Sequence, residues 1–158
     1  MAIYWHLASK GGDILDLSDP TGVSKVLHDK GLRATPQRMA VLAAIGQLSH
    51  PAAEEVARLV MESYPTLSLA TVYNTLDTLE NQGLIRCFKV EGRRRFDLRT
   101  EAHHHLWCTE CQRMDDVPVT VAPGFDDLAD SGWEVEDVVV TYKGVCPRCQ
   151  ARSNHAGA

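Results

Sequence analysis

Two pairs of cysteines constrain this 158-residue chain more than any other feature. Cys108 and Cys111 form one C-x-x-C pair, Cys146 and Cys149 form a second, and 34 residues separate the pairs. Each pair places two thiolates on a tight turn, and the two turns together offer the four sulfur ligands that Zn²⁺ accepts in a tetrahedron. Such a site is structural, because no coordination position is left for a substrate. The cysteines therefore predict a structural zinc ion.

The expected cellular compartment supports this interpretation of the cysteines. The first residues, MAIYWHLASKGGDILDLSD, lack the basic start and apolar stretch of a secretory signal. No apolar run approaches the roughly 18 residues of a membrane span. We therefore expect a cytoplasmic protein with no membrane partner, where disulfides are rare and a pair of redox dithiols is the weaker alternative to zinc. The fifth cysteine, Cys87, is expected to be a small buried side chain.

Helical periodicity dominates the first half of the chain, after an extension of undetermined role (residues 1–22, with His6). The predicted helices have apolar residues three or four positions apart, and caps, prolines or glycines mark most of their ends. They cover residues 23–30, a stretch from Pro36 to beyond Ile45, residues 52–64, and a stretch from Leu69 to Gly83. The outward face of the last helix carries Thr71, Asn74, Thr75 and Thr78. This face is polar and uncharged, so it could enter a DNA major groove.

A basic hairpin is predicted to follow these helices. LIRCFKV and RRFDL are short strand-like runs on either side of Glu91-Gly92, and three arginines lie at the tip. Helices followed by such a hairpin are typical of a winged helix-turn-helix, in which a helix contacts bases and the wing contacts phosphates. The alternative is a small helical domain with an unrelated surface hairpin. The candidate DNA-binding residues are Arg33, Arg38, Ser68, Thr71, Tyr73, Asn74, Thr75, Arg93, Arg94 and Arg95.

Charge is distributed unevenly along the chain. Residues 23–100 carry 11 lysines and arginines against 8 acidic residues, whereas residues 101–158 carry 4 against 10. A basic front half is compatible with phosphate binding, although charge blocks are often only solvated surface. The overall net charge of −5 therefore does not exclude a DNA partner.

The second half of the chain is predicted to be a small α/β domain. HHHLWC, RMDDVPVT and EVEDVVVTYKGVC are strand-like, and residues 125–131 are a candidate short helix. The predicted fold class is therefore α+β, an N-terminal winged helix-turn-helix followed by a small zinc-containing α/β domain. We assign residues 23–99 to the first domain, 103–150 to the second, and 151–158 to a tail.

A run of three histidines predicts a second metal site. Alternate side chains of a strand share a face, so His103 and His105 can converge on one ion while His104 points away. Asp97 and Asp116 lie near the run in sequence. Histidine and carboxylate ligands suit Fe(II), Mn(II), Zn(II) and Co(II) without selecting one of them. The alternative is a solvated histidine tract.

Enzymatic motifs are missing from the sequence. Zinc deaminases require H-x-E followed by P-C-x-x-C, and neither element occurs. Four thiolates bound to one zinc leave no open position for hydrolysis, and no Ser/His/Asp set or phosphate-binding loop is present. We therefore expect neither an enzyme nor a small-molecule substrate. A hydrolytic zinc enzyme would require a water-bearing metal site.

Several motifs together resemble the ferric uptake regulator family. They are GLRATPQRMAVL, SLATVYNTLDTLENQGLI, RRFDLRTEAHHHLWCTEC and GVCPRC, in the family's order over about residues 23 to 150. The resemblance implies a homodimer held by its C-terminal domains, which represses transcription from an inverted-repeat operator on double-stranded DNA when a regulatory metal is bound. It implies that Cys108, Cys111, Cys146 and Cys149 bind structural zinc, and that His50, Asp97, His103, His105 and Asp116 bind regulatory Fe²⁺ or Mn²⁺. One ion would then connect the two domains.

Within that family the chain looks like the peroxide-sensing branch. Asn74 and Asp97 favour this branch, whereas Met39 occupies a position where its members often have a histidine ligand. His50 could replace that ligand, or His6 and His28 could assist. We therefore expect a repressor of oxidative-stress or metal-homeostasis genes that senses peroxide. The alternatives are an iron- or manganese-uptake regulator that responds to metal occupancy only, and a zinc-stabilised interaction or metal-storage module with no DNA role.

Overall fold

The computed structural model describes residues 6–8, 14–17, 19–101, 103–118, 133 and 138–155. The chain divides into two compact units, Met1–Glu101 and Ala102–Ala158, called here the N-terminal unit and the C-terminal unit. Within the described part of the chain, no helix combines the length and the apolar character needed to cross a membrane.

Four helices build most of the N-terminal unit. Their starts follow the sequence signals, because the side chains of Asp19, Thr35 and Ser68 each accept a backbone N–H of the first turn. Gly83, with a φ of 66°, follows the last of them in the left-handed conformation that glycine adopts most easily. The helices are α1 (Pro20–Asp29), α2 (Pro36–Gln47), α3 (Ala53–Ser63) and α4 (Leu69–Asn81). The helices predicted from periodicity are thus present.

The described part of the N-terminal unit also contains two hairpins. The first, β1 (His6–Ala8) with β2 (Ile14–Asp16), is antiparallel and was not predicted, because these residues show no sustained alternation. The second, β3 (Arg86–Val90) with β4 (Arg93–Asp97), is the predicted wing. Its two-residue turn has positive φ at both Glu91 (51°) and Gly92 (77°), the geometry of a type I′ turn.

One apolar core holds these elements together. Leu27 of α1, Leu42 of α2, Val56 of α3 and Leu76 of α4 are each no more than 1% exposed, and Phe96 of β4 is fully buried among them. Each such side chain contributes roughly 1.5–3 kcal/mol of hydrophobic stabilisation. The core therefore fixes the wing against the helices.

The described residues of the C-terminal unit form a three-stranded mixed sheet and one helix. Its strands are β5 (His103–Cys108), β6 (Met114–Pro118) and β7 (Thr141–Gly144), with β5 in the centre, antiparallel to β6 and parallel to β7. The helix α5 (Pro147–His155) occupies part of the predicted tail. The strand predicted over 134–146 was too long, since 138–140 and 145–146 lie outside β7. The helix predicted at 125–131 falls outside the described residues.

Candidate functional site

The four paired cysteines converge at one end of the C-terminal sheet. Cys108 ends β5, Cys111 lies in the following turn, Cys146 precedes α5 and Cys149 lies in its first turn. The parallel pairing of β5 with β7 sets Cys108 beside Gly144 and so brings the second pair to the first. The four sulfur atoms all lie within 4.8 Å of one another.

This cluster fits a tetrahedral zinc ion better than a disulfide. The Sγ atoms of Cys111 and Cys146 are 3.7 Å apart, and the cysteines are free thiols. A tetrahedron with Zn–S bonds of about 2.3 Å has sulfur atoms about 3.8 Å apart, whereas a disulfide needs about 2.05 Å. The prediction of a closed four-cysteine zinc site is therefore consistent with the geometry, and zinc bound here would supply folding energy and no open position for catalysis.

Hydrogen bonds and burial shift the pKa values of two of these thiols in opposite directions. Backbone N–H groups of residues 111 and 146 lower the pKa of Cys108 to about 6. Burial raises the pKa of Cys149 to about 11, and the Arg152 guanidinium, which donates to its Sγ at 3.0 Å, acts in the opposite direction. Arg152 is therefore placed to stabilise a thiolate that burial alone would disfavour.

The N-terminal unit contains a buried histidine–carboxylate pair. His50 Nε2 lies 3.4 Å from Asp97 Oδ2, and their side chains are 2% and 9% exposed. The other ring nitrogen, Nδ1, lies 3.1 Å from the Ser49 hydroxyl, and this contact orients the ring so that Nε2 faces the carboxylate. His50 has a φ of 49°, an uncommon left-handed conformation for a non-glycine residue.

Contacts from β4 hold the turn that carries His50. Arg95 Nη1 donates to the His50 carbonyl at 3.2 Å and to Glu55 Oε2 at 2.9 Å. The same Glu55 oxygen accepts the Ala52 N–H at 2.7 Å, and Phe96 N donates to the Pro51 carbonyl. The surrounding hydrogen bonds thus support the strained backbone of His50.

The C-terminal unit contains a second histidine–carboxylate pair. His103 Nε2 lies 3.7 Å from Asp116 Oδ1, and the rings of His103 and His105 meet edge to face at 4.5 Å. His104 lies near the Tyr142 ring instead, at 6.2 Å. All three histidines are no more than 3% exposed, so the alternative of a solvated tract is wrong. The donors of both pairs, imidazole nitrogen and carboxylate oxygen, suit iron(II) and manganese(II).

Most of the residues predicted to contact bases lie on or beside α4. Ser68 and Asn74 are exposed, and Thr71 and Thr75 are half-buried. The Ser68 hydroxyl caps the helix at Thr71 N, and the Thr75 hydroxyl donates to the Thr71 carbonyl at 2.8 Å. Tyr73 donates to Glu54 on α3 at 2.7 Å, and this bond raises its pKa. Asn74 therefore offers an exposed amide that can pair with a base edge.

The arginines predicted to contact phosphate differ in orientation. Arg93 and Arg33 are exposed, and Arg38 donates to the Arg33 carbonyl at 2.8 Å. Arg94 and Arg95 instead pair with carboxylates of the same unit, and their contact with DNA stays a prediction. Successive strand residues point to opposite faces, so the two side chains contact different elements. Arg95, 8% exposed, contacts the turn at His50, whereas Arg94 contacts α4.

Sequence reasoning also missed the partners of these side chains. Glu55, Asp77 and Glu80 each pair with an arginine of β4, and Arg152 pairs with Cys149. No local pattern singles out these acidic residues as partners, and 14 to 40 positions separate them from the arginines. Only folding brings such pairs together.

Comparison with known proteins places this architecture in a family. The model of the ferric uptake regulator family matches residues 29–141. The ferric uptake regulation protein of Bacillus subtilis is 32% identical over 139 residues, which cover 82% of this chain and 93% of that protein. The peroxide operon regulator of the same organism is 30% identical, with coverage of 83% and 93%.

A solved structure agrees with these relatives. The peroxide stress regulator of Campylobacter jejuni superposes with a TM-score of 0.61 at 28% identity, over 82% of this chain and 97% of that one. The fold is therefore a winged helix-turn-helix followed by a dimerisation domain, as predicted. The chain belongs to the ferric uptake regulator family, whose members are metal-dependent, dimeric, DNA-binding transcription regulators and not enzymes.

Proposed function

We propose that this chain is a cytoplasmic repressor that binds an inverted-repeat operator as a homodimer when Fe(II) or Mn(II) is bound, and that peroxide relieves repression in the iron form. The observation that carries the proposal is the presence of two buried histidines beside carboxylates, His50 with Asp97 and His103 with Asp116. Buried imidazoles beside carboxylates are typical of ligand sets for these metals.

The proposed regulatory ligands are His50, Asp97, His103, His105 and Asp116. The first two belong to the N-terminal unit and the others to the C-terminal unit. One ion bound by both groups couples the DNA-binding elements to the dimerisation domain, so metal affinity and operator affinity become linked. Iron(II) held by these residues would catalyse the oxidation of a histidine side chain by peroxide. One peroxide oxygen is added to the imidazole ring, the other leaves as water, and the imidazole supplies both electrons.

The proposed DNA surface consists of the exposed face of α4 and nearby basic residues. Asn74 is the proposed base contact, with Ser68, Thr71, Tyr73 and Thr75 beside it on the same segment. The proposed phosphate contacts are Arg33, Arg38 and Arg93. In a homodimer a two-fold axis relates two such surfaces, and the DNA site with the same symmetry is an inverted repeat.

The proposed dimer surface lies on the C-terminal sheet. Leu106 and Tyr142 are register partners on β5 and β7 and are 48% and 42% exposed. Neighbouring exposed apolar side chains of this size are typical of a protein–protein interface.

The first experiment selects binding sites from random duplex DNA with the manganese-loaded protein, then treats the iron and manganese forms with peroxide. We expect enrichment of an inverted repeat, loss of operator binding only in the iron form, and one oxygen added to a peptide that contains His50, His103 or His105. Unmodified histidines at confirmed iron occupancy would indicate a regulator that responds to occupancy only. A regulator that responds to occupancy only is also supported by Met39, which packs against the core at the position where members of the peroxide-sensing branch often have a histidine ligand. Failure to enrich any repeat would reject the repressor.

A further inference from the structure

Arg94 connects the wing to the helix that carries the proposed base contact. Its Nη1 donates to Asp77 Oδ1 at 2.8 Å and its Nη2 donates to Glu80 Oε2 at 2.5 Å. Both acceptors lie on α4, one turn apart, whereas Arg94 lies on β4. The guanidinium thus spans the gap between two elements of the N-terminal unit.

Two further contacts orient the same side chain from the hairpin. Arg94 Nε donates to the Cys87 Sγ of β3 at 3.1 Å, and its guanidinium carbon lies 5.0 Å from the centre of the Phe96 ring. All three guanidinium nitrogens therefore have protein partners. A planar fork that binds two carboxylates and stacks on an aromatic ring is more rigid than a single surface ion pair.

We propose that Arg94 is a positioning residue for operator recognition, which sets the distance and angle between α4 and the wing. The inference rests on the proposed DNA-binding function. Asn74 on α4 and Arg93 on the wing have to meet a base edge and a phosphate at the same time. If the angle between the two elements is already fixed in the free protein, DNA binding loses less conformational entropy in ordering them.

A positioning role and a direct phosphate contact predict different changes in DNA affinity for the same substitutions. If Arg94 bound phosphate, removal of a nearby acidic charge at Asp77 or Glu80 would strengthen DNA binding, and lysine would serve in place of arginine. If Arg94 positions the two elements, removal of either acid weakens binding, and lysine fails because it lacks the fork. The two roles are therefore separable by measurement.

The experiment measures operator affinity over a series of salt concentrations for the full-length, metal-loaded dimer. We expect Arg94→Lys, Asp77→Asn and Glu80→Gln each to bind about fivefold more weakly than the wild type, with an unchanged salt slope. The double variant Arg94→Lys/Asp77→Asn is expected to bind no more weakly than the weaker single variant, because both changes disrupt one hydrogen-bond network.

Arg93 provides the matched control, because it is the exposed neighbour at the same hairpin tip. Arg93→Ala should weaken operator binding and reduce the magnitude of the salt slope by about 0.9 for each phosphate that the variant no longer neutralises. Zinc content and the urea midpoint of every variant verify folding. The inference is overturned if Asp77→Asn and Glu80→Gln bind more tightly, or if Arg94→Lys binds like the wild type. Failure of the wild type itself to prefer the operator would instead reject the proposed function.

Discussion

Glu55 accepts hydrogen bonds around the turn that carries His50, and its substitution tests how much these bonds stabilise the N-terminal unit. The Glu55 carboxylate accepts the Ala52 N–H at 2.7 Å and a donor of Arg95 at 2.9 Å. The hydrogen bond from the Ala52 N–H caps a helix, and removal of such a bond costs about 1 kcal/mol. The Glu55 side chain is 46% exposed, and solvent screening limits the ion pair to about 0.5–1 kcal/mol. Glu55→Ala should therefore lower the free energy of unfolding by about 1.5–2 kcal/mol.

The matched control is the neighbouring glutamate, Glu54. It has the same charge in the same first turn of α3, but its side chain accepts a hydrogen bond from the Tyr73 hydroxyl at an exposed position. Glu54→Ala should change the free energy of unfolding by less than about 0.5 kcal/mol. Urea unfolding followed by helical circular dichroism measures both, and Glu55→Ala should lower the midpoint by about 1 M. If the two variants unfold at the same urea concentration, the Glu55 carboxylate does not hold the turn at His50.

Three further predictions concern the zinc cluster and the bond between α3 and α4. Cys146→Ser should lower the zinc content measured by elemental analysis and unfold α5, because one of four thiolates is removed. Arg152→Ala should leave zinc content unchanged but speed zinc release to a chelator severalfold, because a hydrogen bond to the Cys149 sulfur is removed; an unchanged rate would reject that role. Spectrophotometric titration should show Tyr73 ionising above its ordinary pKa of 10.0, because its hydroxyl donates to Glu54, and Glu54→Gln should lower that pKa. Since the folded pKa is the higher one, this contribution to stability is present below pH 10 and disappears as pH rises through the folded pKa.

Local features of the sequence predicted the helices, the wing and the zinc ligands. The caps at Asp19, Thr35 and Ser68 act within a few residues, so their effect on the backbone is readable without tertiary information. Apolar spacing within α4 predicted its buried face for the same reason. The cysteine spacing predicted a four-thiolate cluster, because two tight turns need only meet for the ligand set to be complete.

The length of one strand and the presence of one helix and one hairpin were not predicted. The strand expected over residues 134–146 is only four residues long in β7, because pairing with the central strand β5, and not the apolar run itself, sets its length. The helix α5 was missed because its sequence is largely polar, and it starts at the proline within the second cysteine pair. The hairpin β1–β2 has no alternating pattern from which to infer it.

The three wing arginines adopt orientations that depend on the folded structure. Local patterns were enough to predict a basic hairpin, a helix with a polar face, and the set of ligand types. They could not determine that Arg94 points to α4 and Arg95 to the turn at His50, while Arg93 stays in solvent. The physical reason is that three adjacent, identical side chains have the same local propensities. Their environments differ through groups that folding brings close, among them carboxylates from 14 to 40 positions away.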